Sequence, residues 1–140
     1  IPDYYFYDFN WYLNDVGIYN LKKIQKDLEE RIVKAKLYKR LISNDVAIKT
    51  NCISGDNAIL EFTIILKNKN NQKTHSELMK EGYDVRHTWY INNMKYKEDL
   101  NKENFKNTFL IEEKILCLPL HKNISNADIK NISSIINNMT

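Results

Sequence analysis

The period of the apolar positions changes along this chain, and each change predicts an element. From Asn14 to about Ile42 the apolar residues recur at spacings of three and four. Ile24, Leu28, Ile32, Ala35, Tyr38 and Ile42 form one stripe, which predicts a long helix. Lys and Glu fill its other face, with Glu30 and Lys34 as a favourable i,i+4 pair. Ser43, Asn44 and Asp45 end it. Val46 to Ile53 alternates partly, and Ala58 to Lys67 is a run rich in Ile, Phe and Thr. The turn residues Ser54, Gly55, Asp56 and Asn57 between them predict a hairpin.

The polar run Lys67 to Lys73 reads as a solvated loop, and Thr74 to Lys80 as a short helix stopped by Gly82. Tyr83 to Tyr90 alternates, with Val85, His87 and Trp89 on one face, which predicts a third strand. Ile91 to Asn101 is a polar loop, and Asn104 to Lys114 is a helix. Leu116 to Pro119 is a short apolar strand stopped by its proline. After a tight turn, Ile129, Ile132, Ile136 and Met139 recur at helical spacing. Ser125 caps this last helix, and Asp128 lies near the positive end of its dipole. The order α-β-β-α-β-α-β-α predicts an α/β fold: a small, mainly antiparallel sheet with helices packed on it.

Composition narrows the class without naming a function. A length of 140 residues, 43% hydrophobic and 28% charged, suits one soluble globular domain with a real core. A net charge of +3 with scattered Lys argues only weakly for nucleic-acid or membrane binding. No secretory signal or membrane span is visible, so a reduced, cytoplasmic protein is expected. Cys52 and Cys117 are far apart and belong to no CxxC motif, so no zinc pattern arises. The sequons at Asn123, Asn131 and Asn138 matter only in a secretory compartment and read as chance in an Asn/Ser-rich tail. The abrupt start at Ile1 and Pro2 is consistent with an excised domain or a fragment.

Motifs that carry chemistry are mostly absent. The three glycines, Gly17, Gly55 and Gly82, build no phosphate loop, and there is no HExxH or GxSxG. His75, His87 and His121 fall on three separate elements, so no metal site is expected. Tyr4, Tyr5, Phe6, Tyr7, Phe9, Trp11 and Tyr12 crowd the first segment without a clean period. They either cover this domain's own core or form an apolar interface.

Several segments resemble one family in the right order. Leu116, Cys117, Leu118, Pro119, Leu120 and His121, followed by a short turn and an acidic-start final helix, resemble the C-terminal end of the DegT/DnrJ/EryC1/StrS group. Its members are pyridoxal-phosphate (PLP) sugar aminotransferases. Arg31, Ala35, Tyr38 and Leu41 resemble that group's connecting helix. As physics, Ala35 and Tyr38 point inward while Arg31 snorkels at the edge. Phe9 to Val16 is similar to a segment that reaches across the family's homodimer, where Asn10 would match the residue holding the neighbour's cofactor phosphate. Tyr12 stands where the family has Arg or His, and a gapless alignment would put Phe6 at the Asn10 position instead. Gly82 to Tyr90 resembles the strand that approaches the sugar pocket. The resemblance implies that Trp89 and Tyr90 stack on a sugar or nucleotide, and that Arg86 pairs with a diphosphate through its fork. The residue-level alternative is an alternating strand with Trp89 buried and Arg86 exposed. His121 lies near the pocket by resemblance, or is a turn residue bonded to backbone.

The implied organisation is an aromatic lead-in over 1–13, a long connecting helix over 14–42 and a C-terminal small α/β domain over 43–140. The family's Schiff-base lysine and the Asp at the pyridinium nitrogen lie upstream of the resemblance, so no catalytic residue is assigned here. The resemblance implies the C-terminal domain of a PLP-dependent nucleotide-sugar aminotransferase, a homodimer whose substrate pocket this domain completes. Alone it is expected to be inactive and not to hold PLP. The alternative from another class is a free-standing binding module for nucleic acid or a protein. Nucleic acid is disfavoured because the basic residues are not clustered.

Overall fold

The computed structural model describes residues 11–50, 53, 58–67, 71–87 and 102–139. Their elements run α1 (Trp11–Leu41), β1 (Ala47–Lys49), β2 (Glu61–Leu66), α2 (Asn71–Lys80), a 3-10 turn (Lys102–Phe105), α3 (Lys106–Lys114), β3 (Ile115–Pro119) and α4 (Asn126–Asn138). The sheet has three strands in the order β1-β2-β3, antiparallel at both contacts. The predicted α/β architecture is therefore the observed one. Among the described residues no helix is long and apolar enough to cross a membrane.

β2 is the middle strand, and its alternation decides which face enters the core. Phe62, Ile64 and Leu66 are buried, while Glu61, Thr63 and Ile65 are half-buried. β3 instead is buried at every position, from Ile115 to Pro119. Such a continuous apolar run suits a strand covered on both faces. Pro119 pairs opposite Glu61 at the end of the ladder, where its missing N–H costs no further sheet bond. β1 is shorter than the expected Val46 to Ile53. Its ladder still extends through backbone bonds from Thr50 N–H to the Thr63 carbonyl and from Lys67 N–H to the Val46 carbonyl. The predicted turn at 54–57 lies outside the described residues.

α1 is longer at its start than expected, and only part of its stripe is buried. Ala35, Tyr38 and Ile42 are fully enclosed, and Tyr38 stacks on Phe62 with ring centroids 5.5 Å apart. Ile24, near the other end of the stripe, is 50% exposed. α1 packs on α4 and β2, and its buried residues, Ala35 and Tyr38, lie in its last turns.

Two helix boundaries have local causes. α2 begins at Asn71, inside the run read as a loop. The Asn71 amide is buried and donates to the carbonyls of Glu112 (2.8 Å) and Ile115 (3.0 Å), which ties this start to the α3–β3 junction. Gly82 ends α2 as expected. Its φ of +85° lets its own N–H reach the Met79 carbonyl and the Tyr83 N–H reach the Leu78 carbonyl, a Schellman closure.

The expected third strand from Tyr83 to Tyr90 is corrected over its described part. Among its described residues only Arg86 pairs, through an isolated bridge to Cys117 on the side of β3 away from β2. The Val85 N–H turns back to the Tyr83 carbonyl at 3.0 Å, so its donor goes to a local turn rather than a ladder. The predicted face places Val85 in the core and His87 half-buried; residues 88–90 lie outside the described residues.

α4 closes the core with Ile129, Ile132 and Ile136, the stripe read from the sequence. Ser125 and Asp128 form a full capping box: the Asp128 N–H donates to Ser125 Oγ (3.1 Å), and the Ser125 N–H donates to Asp128 Oδ2 (2.8 Å). At the other end Asn137 joins α4 to α1. Its Oδ1 accepts from the Ser43 N–H (3.0 Å), and its Nδ2 donates to the Leu41 carbonyl (2.9 Å).

Candidate functional site

β3 delivers the chain into a tight turn, and α1 passes beside it. The turn opens at His121, whose carbonyl accepts from the Ile124 N–H at 3.1 Å. The same carbonyl accepts a second bond, at 2.9 Å, from Lys34 Nζ on α1. Lys34 therefore reaches across to the turn rather than along its own helix to Glu30. Arg31, one turn earlier, donates from Nη1 to the Leu60 carbonyl at 3.1 Å, which fixes the guanidinium at the edge of the core.

These contacts frame a cleft of about 270 Å³ lined by Asp27, Glu30, Arg31 and Lys34 of α1 with Leu120, His121 and Lys122 of the turn. The α1 residues fall at i, i+3, i+4 and i+7, one face of the helix next to its apolar stripe. Three fixed cations and two carboxylates share the cleft, a formal balance of +1 with His121 neutral. A shallower depression continues from it past Glu30, Lys34 and Lys122 to Ser125 and Asn126 at the start of α4. There Asp128 already occupies the capping position. The Ser125 hydroxyl and then its N–H, both bonded to that carboxylate, hold it below the usual carboxylate range.

The chemistry available in this cleft is recognition. Carboxylates accept from hydroxyls, while Arg31, Lys34 and Lys122 donate to anionic oxygens. The His121 side chain is exposed at the mouth of the turn. Lys49, whose pKa is lowered by burial and then by Lys39, donates to Asn44 Oδ1 on the sheet edge at 2.5 Å, away from this cleft.

The residues singled out from the sequence are not all brought together. His121 lies in the cleft. Arg86 lies opposite Cys117, four residues earlier on the β3 path and so roughly 13 Å of extended backbone away. Its guanidinium is 3.6 Å from Asp84, and it does not line the cleft. Asn10, Trp89 and Tyr90 lie outside the described residues. The sequence reading missed Asp27, Lys34 and Lys122 as lining residues. A charged face at i, i+3, i+4 and i+7 was the available signal, but only the fold shows that the β3–α4 turn faces it.

On the opposite edge, the imidazole rings of His75 on α2 and His87 meet with centroids 4.2 Å apart and planes tilted by 54°. Burial first, and then His75, lower the pKa of His87. Cys117 in β3 is buried; burial chiefly raises its thiol to about 11, opposed by its hydrogen bond with Thr63.

The fold is shared with solved enzymes at low sequence identity. A Streptococcus pneumoniae protein described as a sugar aminotransferase, in its PMP form, superposes with a TM-score of 0.72 at 13% identity, covering 86% of this chain and 32% of that one. A DegT DnrJ EryC1 StrS aminotransferase from Brucella abortus gives a TM-score of 0.66 at 19% identity, over 85% of this chain and 32% of the other. The E. coli GDP-4-keto-6-deoxy-D-mannose-3-dehydratase, with bound hydrated PLP, gives 0.69 at 16% identity, over 86% and 33%. The chain thus spans about a third of the length of these structures. No curated protein matches it. The sequence model of one family matches residues 13–137, nearly the whole chain, and the chain belongs to that family, the DegT/DnrJ/EryC1/StrS aminotransferases.

Proposed function

We propose that this chain is the C-terminal small domain of a PLP-dependent nucleotide-sugar aminotransferase. In this reading residues 43–140 form the domain, and α1 connects it to a large domain that carries the Schiff-base lysine. The observation that carries the proposal is the extent of the likeness: nearly all of this chain matches about a third of each solved relative.

The exposed start of α1 supports the same reading. Leu13, Val16, Ile18, Leu21 and Ile24 are each between 41% and 66% exposed. An isolated helix with that much bare apolar surface is better explained by a large partner surface than by solvent. The large domain and the second subunit of a homodimer would cover it. The enzyme would be cytoplasmic.

The cleft beside His121 would contact the substrate. Asp27 and Glu30 would accept sugar hydroxyls, while Arg31, Lys34 and Lys122 would donate to phosphate oxygens. Arg86, Trp89 and Tyr90 would contact the nucleotide or sugar. Asn10 would donate to the cofactor phosphate of the neighbouring subunit. PLP supplies the electron sink for transamination in such an enzyme. Residues of this chain would orient the substrate, and the chain alone would be inactive.

Sequencing the gene upstream of Ile1 tests this. A continuous reading frame encoding a large α/β domain with a candidate Schiff-base lysine is expected. A stop codon or an unrelated fold directly upstream would contradict it.

A further inference from the structure

The contact between His75 and His87 has no part in the substrate cleft or in core packing. It joins the middle of α2 to the segment that bridges β3 at Arg86, twelve residues later in the chain. Both residues are half-buried. Nδ1 of His87 is itself buried and has no hydrogen-bond partner among the described residues. A buried imidazole nitrogen left unpaired costs free energy that a bound ligand would recover.

Two imidazoles at close range can share one transition-metal ion. Their spacing also selects among metals. With a metal–nitrogen bond of about 2.1 Å, the ring centroid lies roughly 3.2 Å from the ion. Two rings at a right angle on one ion then have centroids about 4.5 Å apart, and two at the tetrahedral angle about 5.2 Å. The observed 4.2 Å needs a small opening for the first geometry and a much larger one for the second. Among the described residues no group of three or more His, Cys, Asp and Glu side chains could hold a metal ion, so water would complete the coordination.

We propose that His75 and His87 form a two-imidazole site for a divalent transition-metal ion that accepts cis nitrogen ligands, nickel(II) or copper(II). The ion clamps α2 to the Tyr83–His87 segment and so steadies the approach of Arg86 to β3. The site is independent of the aminotransferase reading and stands or falls apart from it.

The test is titration of the chain with NiCl2 and CuCl2 at pH 7.5 in a non-chelating buffer, read by calorimetry and by the melting temperature. One equivalent is expected to bind in the micromolar range, raising the melting temperature with metal concentration. H75Q and H87Q are each expected to weaken binding at least tenfold, and H121Q to leave it unchanged. Electron paramagnetic resonance of the copper(II) form reads the ligands without any variant and is expected to show two nitrogen donors. Binding weaker than millimolar, equal binding by H75Q and H87Q, or a copper signal with fewer than two nitrogens would overturn the proposal.

Discussion

Asn137 is the side chain through which α4 holds the end of α1, and its removal is the most informative stability test. Its amide makes two bonds to backbone groups at the C-terminal end of α1, to the Ser43 N–H at 3.0 Å and from its Nδ2 to the Leu41 carbonyl at 2.9 Å. Both sites are part-buried, so water replaces the lost partner incompletely. A net bond of this kind is worth about 1 kcal/mol, and a buried group left unpaired costs about 1–3 kcal/mol. Asn137→Ala is therefore expected to lose about 2–3 kcal/mol, measured by urea unfolding at constant m-value. For a chain of this size that corresponds to a drop in melting temperature of roughly 6–12 °C. Asn137→Asp refines the reasoning. Its carboxylate still accepts from Ser43 but confronts the Leu41 carbonyl, and it adds negative charge at the C-terminal ends of both helices, where the dipoles disfavour it. It should be at least as destabilising as Asn137→Ala at pH 7. A loss below about 0.5 kcal/mol for Asn137→Ala would refute the clamp, since that is the usual scatter of neutral surface changes.

Three further outcomes follow from the core and the last helix. Tyr38→Phe removes a buried hydroxyl that lacks a partner among the described residues and should stay within about 1 kcal/mol of wild type, whereas Tyr38→Ala should lose about 3–5 kcal/mol of stacking and burial; a large loss for Tyr38→Phe in denaturant melts would mean the hydroxyl is bonded. Cys117, raised to about 11 chiefly by burial, should resist iodoacetamide at pH 8 in the native state and react on unfolding, as peptide mapping would read. Asp128 is held below its ordinary 3.8 by Ser125, so its contribution is fully present above pH 3.8 and is lost as pH falls through the lower folded value; Asp128→Asn should flatten that part of the stability–pH curve, and an unchanged acid slope would contradict the capping box.

Local patterns were legible where one rule governed them. The α4 stripe, its Ser125 cap and the stop at Gly82 were readable because period, cap chemistry and a left-handed glycine each act within a few residues. The α1 stripe was readable as a helix, but periodicity cannot tell that Ile24 stays exposed while Ala35 is enclosed. That depends on where β2 and α4 end. The start of α2 at Asn71 was hidden because its cause is long-range: a polar side chain is buried only where the Glu112 and Ile115 carbonyls wait for it. The alternation from Tyr83 misled for a related reason. Alternating side chains do not guarantee a ladder when the Val85 donor closes a local turn. The family resemblance named His121 as a candidate, whereas Lys34 and Asp27, which line the same cleft, required knowing that α1 runs beside the β3–α4 turn.

The central claim is that this chain shapes a substrate pocket for PLP chemistry without holding the reactive lysine. Incubation of the pure chain with equimolar PLP, reduction with borohydride and mass mapping of every lysine tests it most directly. The account expects no lysine to carry a stoichiometric phosphopyridoxyl group, only traces scattered over exposed lysines. A single lysine labelled at one equivalent per chain would contradict it.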